Sequence, residues 1–254
     1  EHMQNLRTPA ALRYHEVRDM FLILLADRVS DKYITHRKDQ RTSIDMSGIE
    51  LRCLAHYMAR YDGGAYGEVV VNGDPHSENQ KAAGLPTRDM AKTFIYAWLY
   101  GAGGAKIGSI VGKGAAEGDR LKERFLRNMP ALGKVIEAVQ KAHNRGYVIG
   151  LDGRLIMIRH KHAALNTLLQ GAGAVLSKRW MVLFWQGLAE AGISDQVRQM
   201  AWVHDEIQVE CPAEIAEEVG RIAVAAIVAT GISFNFRLPI TGEYKVGTNW
   251  AECH

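Results

Sequence analysis

Met200-Ala201-Trp202-Val203-His204-Asp205-Glu206-Ile207-Gln208-Val209-Glu210 alternates apolar and polar residues on both sides of a polar centre. That alternation predicts a β-hairpin with His204-Asp205-Glu206 at its turn. A surface turn rich in Asp is common and alone says little about chemistry. A second acid gives it weight. In Thr42-Ser43-Ile44-Asp45-Met46-Ser47-Gly48-Ile49-Glu50-Leu51-Arg52, Asp45 sits where a strand would hand over to a helix. A carboxylate at such an end is exposed yet rigidly held, which suits a hard divalent cation. Two carboxylates from separate strands can hold two metal ions about 3.5–4 Å apart for in-line phosphoryl chemistry. A purely structural reading stands beside this one. Ser47-x-x-Glu50 has the form of a capping box, and Asp45 would then be a favourable charge near a helix N-terminus.

A third stretch bears on the choice. Arg88, Lys92, Tyr96 and Tyr100 recur every four positions, ahead of Gly101. At that spacing they drift only about 40° per step and share one helical face. Thr87 is the natural N-cap, with Pro86 before it. Arg88 and Lys92 are like charges one turn apart, which disfavours an isolated helix. An anion bridging both would reverse that penalty, and a triphosphate near the helix N-terminus is such an anion. Tyr96 offers a flat face for a base or sugar. The alternative is a solvated basic face with two core tyrosines.

Composition narrows the classes. The chain has 254 residues, 47% apolar and 23% charged, with a net charge of +3. These values exclude wholesale disorder and a fibre, and the charge is too small to argue for nucleic-acid binding. Met20–Ala26, the longest apolar run near the start, falls far short of the roughly 18 residues of a membrane span. Glu1-His2-Met3 has no basic region or small-residue cleavage site near it, so no secretory signal is expected, and it reads as a cloning remnant. Cys53, Cys211 and Cys253 are too few and too scattered for a disulfide framework or a zinc knuckle.

Along the chain, a helix is predicted from Thr8-Pro9 to about Val29, followed by a polar loop or linker over Ser30–Thr42. A second helix is expected from Ser47 to Tyr61, stopped by Asp62-Gly63-Gly64. From there to Gly146 the pattern is helical with breaks, and the seven glycines of Gly101–Gly118 predict a loop-rich stretch. Tyr147–Ile158 reads as a hairpin turning at Asp152-Gly153. Ala163–Leu188 and Glu214–Ala229 read as helices. The fold class is therefore α+β: a small antiparallel sheet backed by helices, with a helical insertion between Gly63 and Gly146.

The three constellations, in this order, resemble the family A (Pol I-like) DNA polymerases, those of T-seven-like bacteriophages in particular. Glu50-Leu51-Arg52-Cys53-Leu54-Ala55-His56, Leu85-Pro86-Thr87-Arg88, Ala163–Gln170 and the ending Asn249-Trp250-Ala251-x-Cys253-His254 carry the likeness from about Ser43 to His254. It implies a polymerase palm over 43–63 and 147–254 and a helical fingers subdomain over 64–146, with 1–42 unassigned.

The resemblance further implies that Asp45 and Asp205 ligate two Mg²⁺ ions, one of them also bound by the Met46 carbonyl. Glu206 matches a neighbouring, supporting acid. Arg88, Lys92 and His76 match residues that hold an incoming deoxynucleoside triphosphate, and Lys92 is the general acid toward pyrophosphate. Glu50 matches a steric gate against ribose, in partial conflict with the capping box. Tyr96 stands where the family packs an aromatic on the sugar, and a tyrosine there implies tolerance of dideoxynucleotides. Tyr100 matches a residue that stacks at the templating position. His162, Asn166 and Gln170 match primer–template contacts, and Arg154 and His204 further primer-side contacts.

Other readings fail on residues. Gly112-Lys113 lacks the spaced glycine and the following Ser or Thr of a P-loop. The glycines after Tyr100 follow a helix, not the strand of a dinucleotide-binding turn. Single-subunit RNA polymerases lack a Glu gate and the His-Asp-Glu turn.

Upstream of Ser43 the family's thumb, template-primer motif and exonuclease carboxylates are not recognisable. A thumb grips duplex DNA through its backbone, so the chain alone is expected to be poorly processive. Two expectations follow. One is the catalytic part of a split polymerase, completed by a second polypeptide carrying thumb and exonuclease, in the cytoplasm of an infected bacterium. The other is a non-catalytic DNA- or nucleotide-binding or assembly module.

Overall fold

The computed structural model describes residues 39–253. The helix expected from Thr8-Pro9 lies outside the described residues. The sheet is built from β1 (Asp39–Met46), β4 (Arg198–Val203), β5 (Glu206–Pro212) and β6 (Gly242–Gly247), in the order β4-β5-β1-β6 with every pair antiparallel. β1 begins at Asp39, so the last part of the expected polar loop over Ser30–Thr42 is strand. Asp39 and Gln40 pair with β5, Arg41 and Thr42 gain ladder partners from two sides, Arg41 facing both Glu210 and Gly247, and that pairing overrides their local preference.

Between β1 and the second half of the sheet run α1 (Ile49–Asp62), α2 (Ala65–Asn72), α3 (Pro75–Ala83), α4 (Arg88–Leu99), α5 (Gly104–Ile110), α6 (Ala115–Asn128) and α7 (Pro130–His143). A hairpin, β2 (Tyr147–Ile149) and β3 (Leu155–Met157), follows with Ile149 opposite Leu155, as its Asp152-Gly153 turn predicts. Then come the long α8 (Ala164–Glu190), α9 (Ala216–Ser233) after β5, and the short α10 (Trp250–Cys253). The α+β expectation holds. No helix among the described residues is long and apolar enough to cross a membrane.

One face of the sheet packs on α9. Ile44 lies opposite Tyr244 in the ladder, and a Cβ added at Gly220 of α9 would sit 2.3 Å from the Tyr244 ring. Strand alternation sends Ile44, Met46, Ile207 and Val209 to this face, and all four are fully buried. α8 closes the layer behind α9, where buried Trp180 donates its Nε1–H to the Ala223 carbonyl at 3.0 Å. The same alternation turns Ser43, Asp45, Glu206 and Gln208 to the opposite, polar face.

The helical insertion has its own core. Phe125 of α6 receives Phe94 and Trp98 of α4 edge-on, with ring centroids 5.1 and 5.7 Å away. The glycine-rich stretch predicted to be loop-rich keeps turns at 101–103 and 111–114, but its other residues form α5 and the start of α6. A Cβ on Gly118 would lie 1.9 Å from the Gly104 carbonyl oxygen, so these glycines let two helix backbones touch. Glycine count signals close approach here, where helix packing outweighs propensity.

Candidate functional site

Asp45 is the last residue but one of β1, an inner strand of the sheet, with Glu206 of β5 as its ladder partner on one side and Glu243 of β6 on the other. Like charges placed directly opposite disfavour a sheet. Burial, followed by the charges of Asp205, Glu206, Glu243 and Glu50, pushes the Asp45 carboxyl up to about 7. Glu206 is held by two donors: Ser43 Oγ at 2.6 Å and Gln208 Nε2 at 2.7 Å, both on its Oε1.

Asp205 occupies the tight turn between β4 and β5. His204, beside it, has φ 56°, a left-handed value that histidine tolerates better than most non-glycine residues. The Met46 N–H donates to the Asp205 carbonyl at 3.1 Å, which locks the turn to the end of β1. Burial first and Glu50 second raise the Asp205 carboxyl above the ordinary range. The two acids, distant in sequence, thus come to one sheet end, where the Asp205 charge reaches Asp45.

Among the described residues no three His, Cys, Asp or Glu side chains are gathered into a complete metal cage. Mg²⁺ commonly takes one or two protein carboxylates and completes its shell with substrate phosphates and water. Two carboxylates that resist ionising together fit a divalent ion that arrives with a phosphate ligand.

Two hollows open at this sheet end. The larger, about 400 Å³, is lined by Glu50, Tyr100, Gln170, Lys178, His204 and Asp205 among others. The smaller, about 300 Å³, is lined by Asp45, Glu206, Glu243 and Lys245 among others. Across the larger one Gln170 Nε2 donates to the Tyr100 hydroxyl at 3.4 Å. The capping box is not formed. Gly48, at φ 59°, is the N-cap of α1, and no side chain caps the helix. The chain turns into α1 through a left-handed glycine, and Glu50 takes its place in the cleft wall.

Helix α4 forms a rim beside the larger hollow, which its C-cap Tyr100 lines. Thr87 caps it as expected, its Oγ1 accepting from Met90 N at 3.2 Å. Burial and the charges of Glu50, Tyr100 and Asp205 push the Tyr96 hydroxyl up to about 12, which ties this helix to the acids electrostatically. Tyr96 also meets the His76 ring at 6.1 Å between centroids. The charges of Arg88 and Lys92 add to burial in lowering the His76 pKa, so the three basic residues share one neighbourhood. His76 Nδ1 is buried without a hydrogen-bond partner.

The structure brings Asp45, Met46, Glu50, Asp205 and Glu206 to one sheet end, Tyr100, Gln170 and His204 into the cleft wall, and His76, Arg88, Lys92 and Tyr96 to the rim. Arg154, His162 and Asn166 line neither hollow. Arg154 pairs with Asp152 in the β2–β3 turn, and the His162 ring stacks on His160 at 5.5 Å. Sequence reasoning missed Glu243, Ser43, Gln208 and Asp74. Only Asp74 had a local signal, an Asp before Pro75 at the start of a helix.

Residues 26–252 match the profile of DNA polymerase family A. The DNA-directed DNA polymerase of Enterobacteria phage T3 is 46% identical over 241 residues, spanning 87% of this chain and 34% of that protein. That of Escherichia phage T7 is 47% identical over 241 residues, with the same coverage. The fold also matches the POL domain of Pol1 from M. smegmatis, solved in complex with DNA primer-template and dNTP. That match has a TM-score of 0.75 at 20% identity over 89% of this chain and 42% of the other. The chain spans about a third of the length of the phage relatives. It belongs to DNA polymerase family A.

Proposed function

We propose that this chain carries the catalytic part of a template-directed DNA polymerase, adding deoxynucleotides to a primer 3′-hydroxyl. The observation that carries the reading is that the Asp205 charge reaches Asp45 at one sheet end, and that Tyr96, on the helix face that also bears Arg88 and Lys92, feels Glu50 and Asp205. Residues 43–63 and 147–254 act as palm and 64–146 as fingers. Asp45, Asp205 and the Met46 carbonyl would hold two Mg²⁺ ions, and Glu206 supports them. Divalent ions bound there lower the pKa of the primer hydroxyl and offset the charge gathering on the transferred phosphate.

The chain's own groups do the rest. Arg88, Lys92 and His76 bind the triphosphate, and Lys92 holds a proton for the departing pyrophosphate. Tyr96 packs on the sugar. Glu50 excludes a ribose 2′-hydroxyl. Tyr100, Gln170 and His204 meet the primer–template at the cleft wall, and Arg154, His162 and Asn166 extend that contact along the duplex. A second polypeptide supplies the thumb and exonuclease, in the cytoplasm of an infected bacterium.

Primer extension with Mg²⁺ and deoxynucleoside triphosphates tests this, using the chain alone and combined with a thumb–exonuclease polypeptide. Incorporation that Asp205→Ala abolishes is the expected result. Folded protein that never extends a primer in either mixture leaves a binding or assembly module instead.

A further inference from the structure

The carboxylate of Asp74 ties α3 to α4. Asp74 is the N-cap of α3, its Oδ1 accepting from the His76 N–H at 3.1 Å and its Oδ2 from Ser77 Oγ at 2.6 Å. The same two oxygens receive Arg88, the first residue of α4: Nη2 on Oδ1 at 3.1 Å and Nε on Oδ2 at 2.6 Å. One side chain therefore fixes the backbone of His76 and the guanidinium of Arg88 relative to each other. These bonds use Nε and Nη2 of Arg88 and leave Nη1 for a second anion. Arg88, followed by Ser77, holds the Asp74 carboxyl well below the usual carboxylate range.

The pair is half exposed, with side-chain exposures of 50% for Arg88 and 40% for Asp74. An exposed ion pair contributes little to stability. Its parallel two-bond geometry instead fixes orientation. A free arginine must lose rotamer freedom when it grips a phosphate, and one already held loses less. A carboxylate near a triphosphate also repels it, but water screens that repulsion at an exposed site.

We infer that Asp74 is a positioning residue for nucleotide binding: it holds Arg88 beside His76, so that the triphosphate rim exists before the nucleotide arrives. This rests on the polymerase reading above, because the rim needs a triphosphate as its ligand.

Asp74→Asn separates orientation from capping, because asparagine caps helices about as well as aspartate. The expected result is an unchanged melting temperature and a Kd for dATP, by titration calorimetry on the full chain, weakened about three- to ten-fold. In primer extension KM for the nucleotide rises more than kcat falls. Asp74→Glu restores part of the affinity. Asp74→Asn adds nothing further in an Arg88→Ala background, because the residue acts through Arg88. Unchanged affinity would make Asp74 a plain cap, and tighter binding would make it a competitor for Arg88. Either result overturns the inference and leaves the polymerase reading intact. If the parent chain binds no dATP, or Arg88→Ala binds it as well as the parent, the polymerase reading itself has failed and the inference falls with it.

Discussion

Asp45 faces Glu206 across the β1–β5 ladder, and the Oε1 that Glu206 offers to Ser43 and Gln208 keeps this second acid in place beside the first. Glu243 stands opposite Asp45 on its other side. Three acids abreast across neighbouring strands disfavour the sheet they sit in.

The first prediction follows from that crowding. Asp45 titrates near 3.8 when free and near about 7 in the fold. Between those values the folded state keeps a proton that the unfolded state has lost. The group's contribution to stability therefore falls as pH rises through this window and stays low above it. Asp45→Asn should stabilise the metal-free protein by about 1 kcal/mol at pH 8, after discounting for partial exposure, and by nothing near pH 4. Mg²⁺ should raise the melting temperature of the parent at pH 8 more than that of the variant. Thermal melts with and without Mg²⁺ check this. A variant no more stable than its parent at pH 8 contradicts the clash.

His56 runs the other way. Its Nδ1 accepts the Arg237 N–H at 3.1 Å, its ring stacks on Phe236 at 4.3 Å, and burial with the Arg237 charge pushes it down to about 4. The unfolded chain takes up a proton near 6.5 that the fold refuses, so stability is lost as pH falls from there toward 4. The loss should approach about 3 kcal/mol at most. Urea midpoints measured in an Asp45→Asn background isolate this limb. His56→Asn should flatten it, and an unaltered slope would assign the acid loss elsewhere.

Glu50 has no capping duty and its charge adds to the crowding at Asp205 and Asp45, so Glu50→Ala should leave the metal-free protein as stable as its parent or more stable by up to about 0.5 kcal/mol. Its effect should appear in sugar choice. The ratio of ribonucleotide to deoxynucleotide incorporation should rise, as single-turnover extension can measure. Unchanged selectivity would remove the gate assignment.

Two glycines make a matched pair of tests. Gly118→Ala puts a methyl against the Gly104 carbonyl oxygen and should cost about 1–3 kcal/mol. Gly133→Ala in α7 meets nothing within 4 Å and should gain about 0.5–1 kcal/mol. Denaturant unfolding of both variants reads the difference, and equal effects would mean that α5 and α6 do not touch there.

Local chemistry determined more of this protein than its modest composition promises. Alternation around His204-Asp205-Glu206 sufficed for the β4–β5 hairpin, Thr87 for the start of α4, and a continuous helical pattern for α8. Each depends on residues a few positions apart, whose periodicity and turn chemistry act before any long-range contact forms. Ser47 and Glu50 show the limit: they have the letters of a capping box, yet a left-handed Gly48 turns the chain and sends Glu50 to the cleft. The glycines of α5 and α6 show it again, because close backbone contact with a partner helix is invisible along one strand of sequence. The row Glu206–Asp45–Glu243 and the bridge from Asp74 to Arg88 were decided only by tertiary structure. Strand register and helix docking set which distant side chains meet, and both are fixed by burying the apolar faces of the sheet and helices, not by the polar residues that end up side by side.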